Sequence, residues 1–258
     1  MDSANLGLCR MMNAQYSILV LISALTLACS SVPSASKASP SPSPKTLLPD
    51  AVRIDKPLNV SFSSYSKDWP VGWLWIDPDE KNVPTPHDTK KRVLRIRIPT
   101  GKDLAGDRRN APRYIKAITG DFQIETRVAF LPKENYQGAG LLIYIDDQNY
   151  MRFERAYGGF GGGGEGIRLD VREIGGYRSI VSPREIQTDS AETELRVVRR
   201  GQVFIAYWRS DENDRWQLAG EFISDYPETI LAGLVACNTA EEITADFAYI
   251  RLSPVPPQ

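Results

Sequence analysis

From Val52 onward the apolar side chains recur with a period of two. Phe122, Ile124, Thr126, Val128 and Phe130 alternate with Gln123, Glu125, Arg127 and Ala129, and Ile167, Leu169 and Val171 alternate with Arg168, Asp170 and Arg172. A period of two sends successive side chains to opposite faces and marks half-buried strands. Val203, Ile205 and Tyr207 interleave with Phe204, Ala206 and Trp208. That strand is apolar on both faces and is expected near the middle of a sheet, where β-branched and aromatic residues pack well. Turn chemistry separates the runs at Pro132, Asp146 to Asn149, the glycines between Gly158 and Gly166, Gly175-Gly176, Gly201 and Asp211 to Asp214. The spacing predicts roughly a dozen short strands, as in sandwiches and jelly rolls. No long amphipathic helix is expected, and Ser190 to Glu194 leads into the strand at Leu195. With no internal repeat and no second linker, the pattern predicts one all-β domain, a two-sheet jelly-roll sandwich over residues 50–254, with a short tail at 255–258.

Composition adds an exclusion. The formal net charge is −1 and basic residues are scattered among acidic ones. Nucleic acid is therefore not an expected partner, because its recognition needs a massed basic face. Oligomeric state is left open.

The N-terminus reads differently. The apolar run Ile18 to Ala28 follows Arg10 and ends in Leu25-Thr26-Leu27-Ala28-Cys29. It is shorter than the ~20 residues that a membrane span needs and fits the core of a signal peptide over residues 1–28. Ala28 before Cys29 resembles the lipobox of bacterial lipoproteins, with Thr26 at a position usually aliphatic. The resemblance implies acylation of Cys29, hence a membrane-anchored lipoprotein at the cell envelope. An ordinary secretory signal and a secreted product are the alternative. Residues 30–45 are almost entirely Ser, Ala, Pro and Lys, so residues 29–49 read as a semi-extended tether that cannot bury a core. Cys237 lies in the apolar stretch Leu231 to Cys237 and reads as a buried small hydrophobe.

The order of segments carries a further resemblance. A strand opening Gly120-Asp121-Phe122 is followed by Gln137-Gly138-Ala139-Gly140-Leu141-Leu142-Ile143-Tyr144 and by Asp147-Gln148-Asn149-Tyr150-Met151-Arg152-Phe153-Glu154. Later come Leu195 to Arg199, a hairpin from Tyr207 to Trp216, and a closing Asp246 to Leu252. This order resembles the concanavalin A-like lectin/glucanase superfamily, in particular the C-terminal sandwich of some β-xylosidases. The resemblance implies a concave sheet across which carbohydrate lies. It leaves activity open, because the fold hosts lectins, hydrolases and adhesive modules alike.

Glucanases of the superfamily carry acids on alternate positions of one strand, and a retaining pair needs carboxyls about 5–5.5 Å apart. No such run occurs, and Glu154 and Asp170 alternate with arginines, which lower a carboxyl pKa where a general acid needs it raised. Carboxylates from separate strands, such as Glu125 and Glu154, are left as a route to a divergent glycoside hydrolase. His87 stands alone in a loop, and Asp211-Glu212-Asn213-Asp214 lacks the spacing of a calcium loop, so no metal ligand is assigned. No cofactor is called for, with calcium allowed by the resemblance. The Gly158 to Gly166 run precedes a strand rather than a helix and cannot cradle phosphates. It reads as a flexible loop, or as a mobile flap with Tyr157 and Phe160 as contacts. Trp69, Trp73 and Trp75 read as core or rim packing. The binding candidates are Glu125, Arg127, Tyr136, Tyr150, Arg152, Glu154, Tyr157, Arg168, Asp170 and Arg172, taken as one mixed-charge face if their strands are neighbours. Guanidinium and carboxylate groups can pair with sugar hydroxyls while a ring stacks on the pyranose. The leading expectation is non-catalytic binding of a glycan or polysaccharide. A structural or protein-interaction module of the envelope, with that face merely solvated, is the alternative.

Overall fold

The computed structural model describes residues 50–62, 70–77, 87–88, 92–105 and 108–255. The signal segment, Cys29, the tether and Trp69 lie outside the described residues. Sixteen strands are found among those described. The first eight are β1 (Val52–Arg53), β2 (Leu58–Ser61), β3 (Trp73–Ile76), β4 (His87–Asp88), β5 (Val93–Ile98), β6 (Arg113–Thr119), β7 (Phe122–Ala129) and β8 (Gly138–Asp146). They are followed by β9 (Asn149–Tyr157), β10 (Glu165–Glu173), β11 (Gly176–Val181), β12 (Glu192–Arg200), β13 (Val203–Arg209), β14 (Gln217–Ile223), β15 (Thr229–Cys237) and β16 (Ile243–Ser253).

They form two sheets. The first runs β1-β6-β15-β8-β9-β10-β11, with β3 also on β6. The second runs β14-β13-β12-β7-β16-β5-β4, with β2 on β16. Neighbours are antiparallel except β1 and β6. The all-β sandwich expected from the alternation is present. β13 lies one strand in from an edge rather than mid-sheet, because the register places β14 beyond it.

Alternation explains the core. Phe122, Ile124 and Val128 of β7, Leu195 and Val197 of β12 and Phe247 of β16 pack against Leu141, Phe153, Ile167 and Leu234 of the first sheet. Each such side chain, fully removed from water, contributes about 1.5–3 kcal/mol. Trp73 is buried here, stacked on Tyr114 at 4.7 Å, and Trp75 packs partly buried against the same cluster.

A second apolar cluster lies on the outer face of the first sheet. It joins Ile115, Leu142, Tyr150, Val235 and Cys237 to Leu104 and Ala111, which come from the connection between β5 and β6. That connection is closed on itself where the amides of Asn110 and Ala111 donate to Asp103 O at 2.9 and 3.1 Å. It is pinned to the sheet where the Asn238 amide donates to Lys102 O at 2.7 Å. A strap therefore crosses the outer face as far as β9, where Tyr150 Oη donates to Leu104 O at 3.2 Å and Arg152 Nη1 to Asp103 Oδ1 at 2.9 Å.

Candidate functional site

Registered rows cross the outer face of the first sheet. One holds Gly140, Glu154 and Arg168; the next Leu142, Arg152, Asp170 and Ser179; a third Tyr144, Tyr150, Arg172 and Tyr177. Six of the ten expected binding residues, Tyr150, Arg152, Glu154, Arg168, Asp170 and Arg172, lie in these rows on the neighbouring strands β9 and β10. Arg168 donates from Nε and Nη2 to Glu154 Oε2 at 3.1 and 2.7 Å. Its Nε also lies 3.3 Å from Asp170 Oδ2, and its Nη1 donates to Gly158 O at 3.3 Å. Arg152 donates from Nη1 to Asp103 Oδ1 at 2.9 Å and contacts Cys237 Sγ at 3.3 Å, with Asp170 3.9 Å from Nη2.

All of these side chains are buried. Burial pushes the Asp170 carboxyl above its ordinary range even though Arg168 and Arg152 oppose the shift. Burial likewise pushes the Cys237 thiol up, so it is an inert thiol in an apolar cluster. Among the described residues Glu154 Oε1 has no hydrogen-bond partner, and Asp170 is held by charge proximity to Arg168 and Arg152 rather than by well-formed hydrogen bonds to them. The cluster is thus an ion-paired floor sealed by the strap, not an open groove. Its carboxylates are closed off from the two-sided access to a glycosidic bond that hydrolysis requires.

Beside this floor, in the adjacent row and on the glycine turn, lies a set of rings. Tyr144 stacks with Tyr150 at 6.5 Å, Tyr150 Oη is 3.3 Å from Tyr177 Oη, and Phe160 stacks on Tyr177 at 4.8 Å. Tyr136 meets Phe160 edge-on at 5.8 Å. Arg172 lies 4.9 Å from the Tyr177 ring and Arg113 lies 5.1 Å from that of Tyr144. Tyr150 is covered, whereas Tyr136, Tyr144 and Tyr177 are half-exposed and Phe160 is 51% exposed. Tyr136 adopts φ 69°, a left-handed conformation unfavourable for a residue with a Cβ.

The glycine run that presents Phe160 is a packed turn rather than a flexible loop. The Gly158 amide donates to Gly164 O at 2.9 Å, that of Gly162 to Gly159 O at 3.0 Å, and that of Gly159 to Asn135 Oδ1 at 2.8 Å. A Cβ on Gly159 would meet Arg168 Cδ at 2.8 Å, and one on Gly163 would meet the Arg184 amide nitrogen at 2.4 Å. Glycine is required because the turn lies directly on the arginine floor and on the chain at residues 183–184.

Three of the expected site residues sit elsewhere. Glu125 and Arg127 are on β7, in the second sheet, and point from its outer face; they do not join Arg152 or Arg168. The expected convergence of Glu125 with Glu154 fails for the same reason. Glu125 accepts from Arg196 Nε at 2.7 Å, and Arg127 donates to Glu194 at 2.8 Å. Alternation along β9 turns Tyr157 to the same side as Phe153 and Arg155, away from the ring line. Conversely, Asp103, Tyr144 and Tyr177 were not anticipated. The Gly175-Gly176 hairpin signal was sufficient to set Tyr177 opposite Arg172, whereas nothing local marks Asp103.

The acidic runs are turns. Asp146 Oδ1 accepts from the Gln148 amide at 2.7 Å, and Asp211 Oδ1 accepts from the Asn213 amide at 2.8 Å. Among the described residues no group of three or more His, Cys, Asp or Glu side chains is placed to hold a metal ion. His87 lies in β4, and its residue pairs with Leu94.

Residues 62–253 match the family described as the beta xylosidase C-terminal concanavalin A-like domain, and the chain belongs to that family. The GH43 BlXynB protein from Bacillus licheniformis superposes with a TM-score of 0.61 at 17% identity, covering 76% of this chain and 39% of that one. The xylan beta-1,4-xylosidase from Bacillus halodurans superposes at 0.56 and 16% identity, covering 76% and 38%. This chain thus spans about two fifths of the length of those enzymes. A functionally unknown protein from Saccharomyces cerevisiae superposes at 0.58 and 16% identity, covering 72% of this chain and 98% of that one. No curated protein matches the chain. The likeness to these structures concerns the fold.

Proposed function

We propose that this member of the beta xylosidase C-terminal concanavalin A-like family is a non-catalytic glycan-binding domain, tethered at the cell envelope through an acylated Cys29. The observation that carries the reading is the contiguous set of accessible rings Tyr177–Phe160–Tyr136, beside a buried guanidinium and carboxylate floor, with Tyr144 beyond the covered Tyr150. Sugar rings present C–H faces that pack on flat aromatic surfaces, and a site that holds those surfaces still binds at lower entropic cost. Phe160 sits on a turn whose glycines are fixed by contact, so the platform is preformed. Glu154 is paired with Arg168 and Asp170 is buried between Arg168 and Arg152, which supports binding over hydrolysis. The xylosidases that share the fold make xylan-type polymers the first ligands to test.

A glycan array probed with the protein, paired with an assay for released reducing sugar, tests the reading. Binding to neutral polysaccharide without release is the expected result. Release of sugar by the purified protein, or no binding across plant, algal and microbial glycans, would overturn it. Labelling with a fatty-acid analogue, lost in Cys29→Ser, tests the tether.

A further inference from the structure

The outer face of the second sheet carries a different pattern of charge. Tyr207 of β13, Arg196 of β12, Glu125 of β7 and Arg251 of β16 are consecutive partners in one row. Glu125 is the one carboxylate among them, and its Oε1 already accepts from Arg196 Nε and from Gln123 Nε2, both at 2.7 Å. The neighbouring row, Arg209, Glu194, Arg127 and Tyr249, is closed by ion pairs. Glu194 takes both arginines, and Arg127 also meets Glu212 of the acidic hairpin tip. The surplus positive charge therefore belongs to the Arg196–Arg251 row, in a chain whose overall net charge is −1.

Both guanidinium groups of that row lie against rings. Arg196 Cζ is 3.9 Å from the centre of the Trp216 ring, and Arg251 Cζ is 4.0 Å from that of Tyr249. A guanidinium packed against a ring is held in place while its N–H groups stay able to receive a carboxylate in a two-point fork. Arg251 is exposed and its side chain makes no ion pair or hydrogen bond among the described residues, and the Arg196 side chain uses only its Nε. Because Arg196 and Arg251 both flank Glu125, they stand two strand spacings apart, about 10 Å. Tyr207 and Trp216 are half-exposed beside them.

We propose that this face is a second binding site, for a polysaccharide bearing uronate carboxylates. Carboxylates on the chain engage Arg196 and Arg251, while a sugar ring lies against Tyr207; Trp216, with Arg196 at 3.9 Å and Arg209 at 4.5 Å from its centre, holds the Arg196 guanidinium in place. This site is independent of the ring line on the first sheet and stands or falls separately from it.

Titration of the whole protein with polygalacturonate, its methyl-esterified form and dextran sulfate, at several salt concentrations, tests the proposal. Saturable binding to polygalacturonate that weakens with salt is expected, with little binding of the esterified polymer. Arg251→Gln is the primary variant, because Arg251 leaves no buried carboxylate stranded and the fold is expected to be unaffected. It should lose about tenfold in affinity and show a shallower salt dependence, as should Trp216→Ala. Phe160→Ala should bind polygalacturonate as the unaltered protein does. Absent binding, equal affinity for the esterified polymer or dextran sulfate, or an unchanged Arg251→Gln would each overturn the proposal.

Discussion

Arg168 and Glu154 face each other across β10 and β9, both fully buried, with two nitrogens of the guanidinium on a single carboxylate oxygen. The pair fits because position 138 is glycine: a Cβ there would lie 2.5 Å from Arg168 Nη2 and 2.8 Å from the Glu154 carboxyl. Arg168 also lies 3.3 Å from Asp170, so removing the guanidinium leaves two buried carboxylates short of a cation, at a cost of about 3–5 kcal/mol. Arg168→Met is therefore expected to lower unfolding stability by that amount, read from the urea midpoint with an unchanged m-value. A change below about 1 kcal/mol would mean that water reaches the pair.

The β10–β11 hairpin contains a local conflict. Its turn residues Ile174 and Gly175 have φ of 49° and 79°, the left-handed pair of a type I′ turn. A β-branched side chain is strained there, and Ile174 is 94% exposed, so packing offers no compensation. Ile174→Asn is expected to raise stability by about 1 kcal/mol, seen as a higher thermal midpoint with ring-line contacts intact. A lower midpoint would show that the isoleucine is held by something beyond the turn.

Acid sensitivity has an identifiable source in the second sheet. Burial alone would raise the Glu194 carboxyl, but hydrogen bonds from Arg127 and Arg209 outweigh it and hold the group below the ordinary glutamate range. A carboxyl depressed in the folded state stabilises fully above its unfolded value, and that stability is lost as pH falls through the folded value. Stability measured against pH should thus drop through the acid range below the ordinary glutamate value. Glu194→Gln should be less stable at neutral pH and flatter in that window. Asp170, raised by burial, works with the opposite sign, since stability falls as its carboxyl ionises.

Alternation sufficed to recover the strands and the inward positions of β7, β10 and β13, because burial of one face enforces a period of two. It assigns a side chain to a face of its own strand but not to a sheet. For that reason Glu125 and Arg127 read like Arg152 and Glu154 while projecting from the other side of the sandwich. The sealing of the arginine floor was equally illegible. It depends on Asp103 and Leu104, about fifty residues earlier in the chain, crossing above β9. Cys237 was legible as a buried residue because its apolar flanks mark the burial directly. Phe160 was visible as a contact candidate, but its rigidity was not, since close approach of the Gly159 and Gly163 backbones to other segments leaves no trace in spacing.

The central claim is that the first sheet binds neutral glycan through its ring line. Calorimetric titration of the protein and of Phe160→Ala with the xylan-type oligosaccharide that binds best tests it most directly. Saturable binding by the unaltered protein is expected, about tenfold weaker in Phe160→Ala at unchanged thermal midpoint, which corresponds to roughly 1.4 kcal/mol from one ring. Equal affinity of the two proteins, or no heat of binding from either, would contradict it.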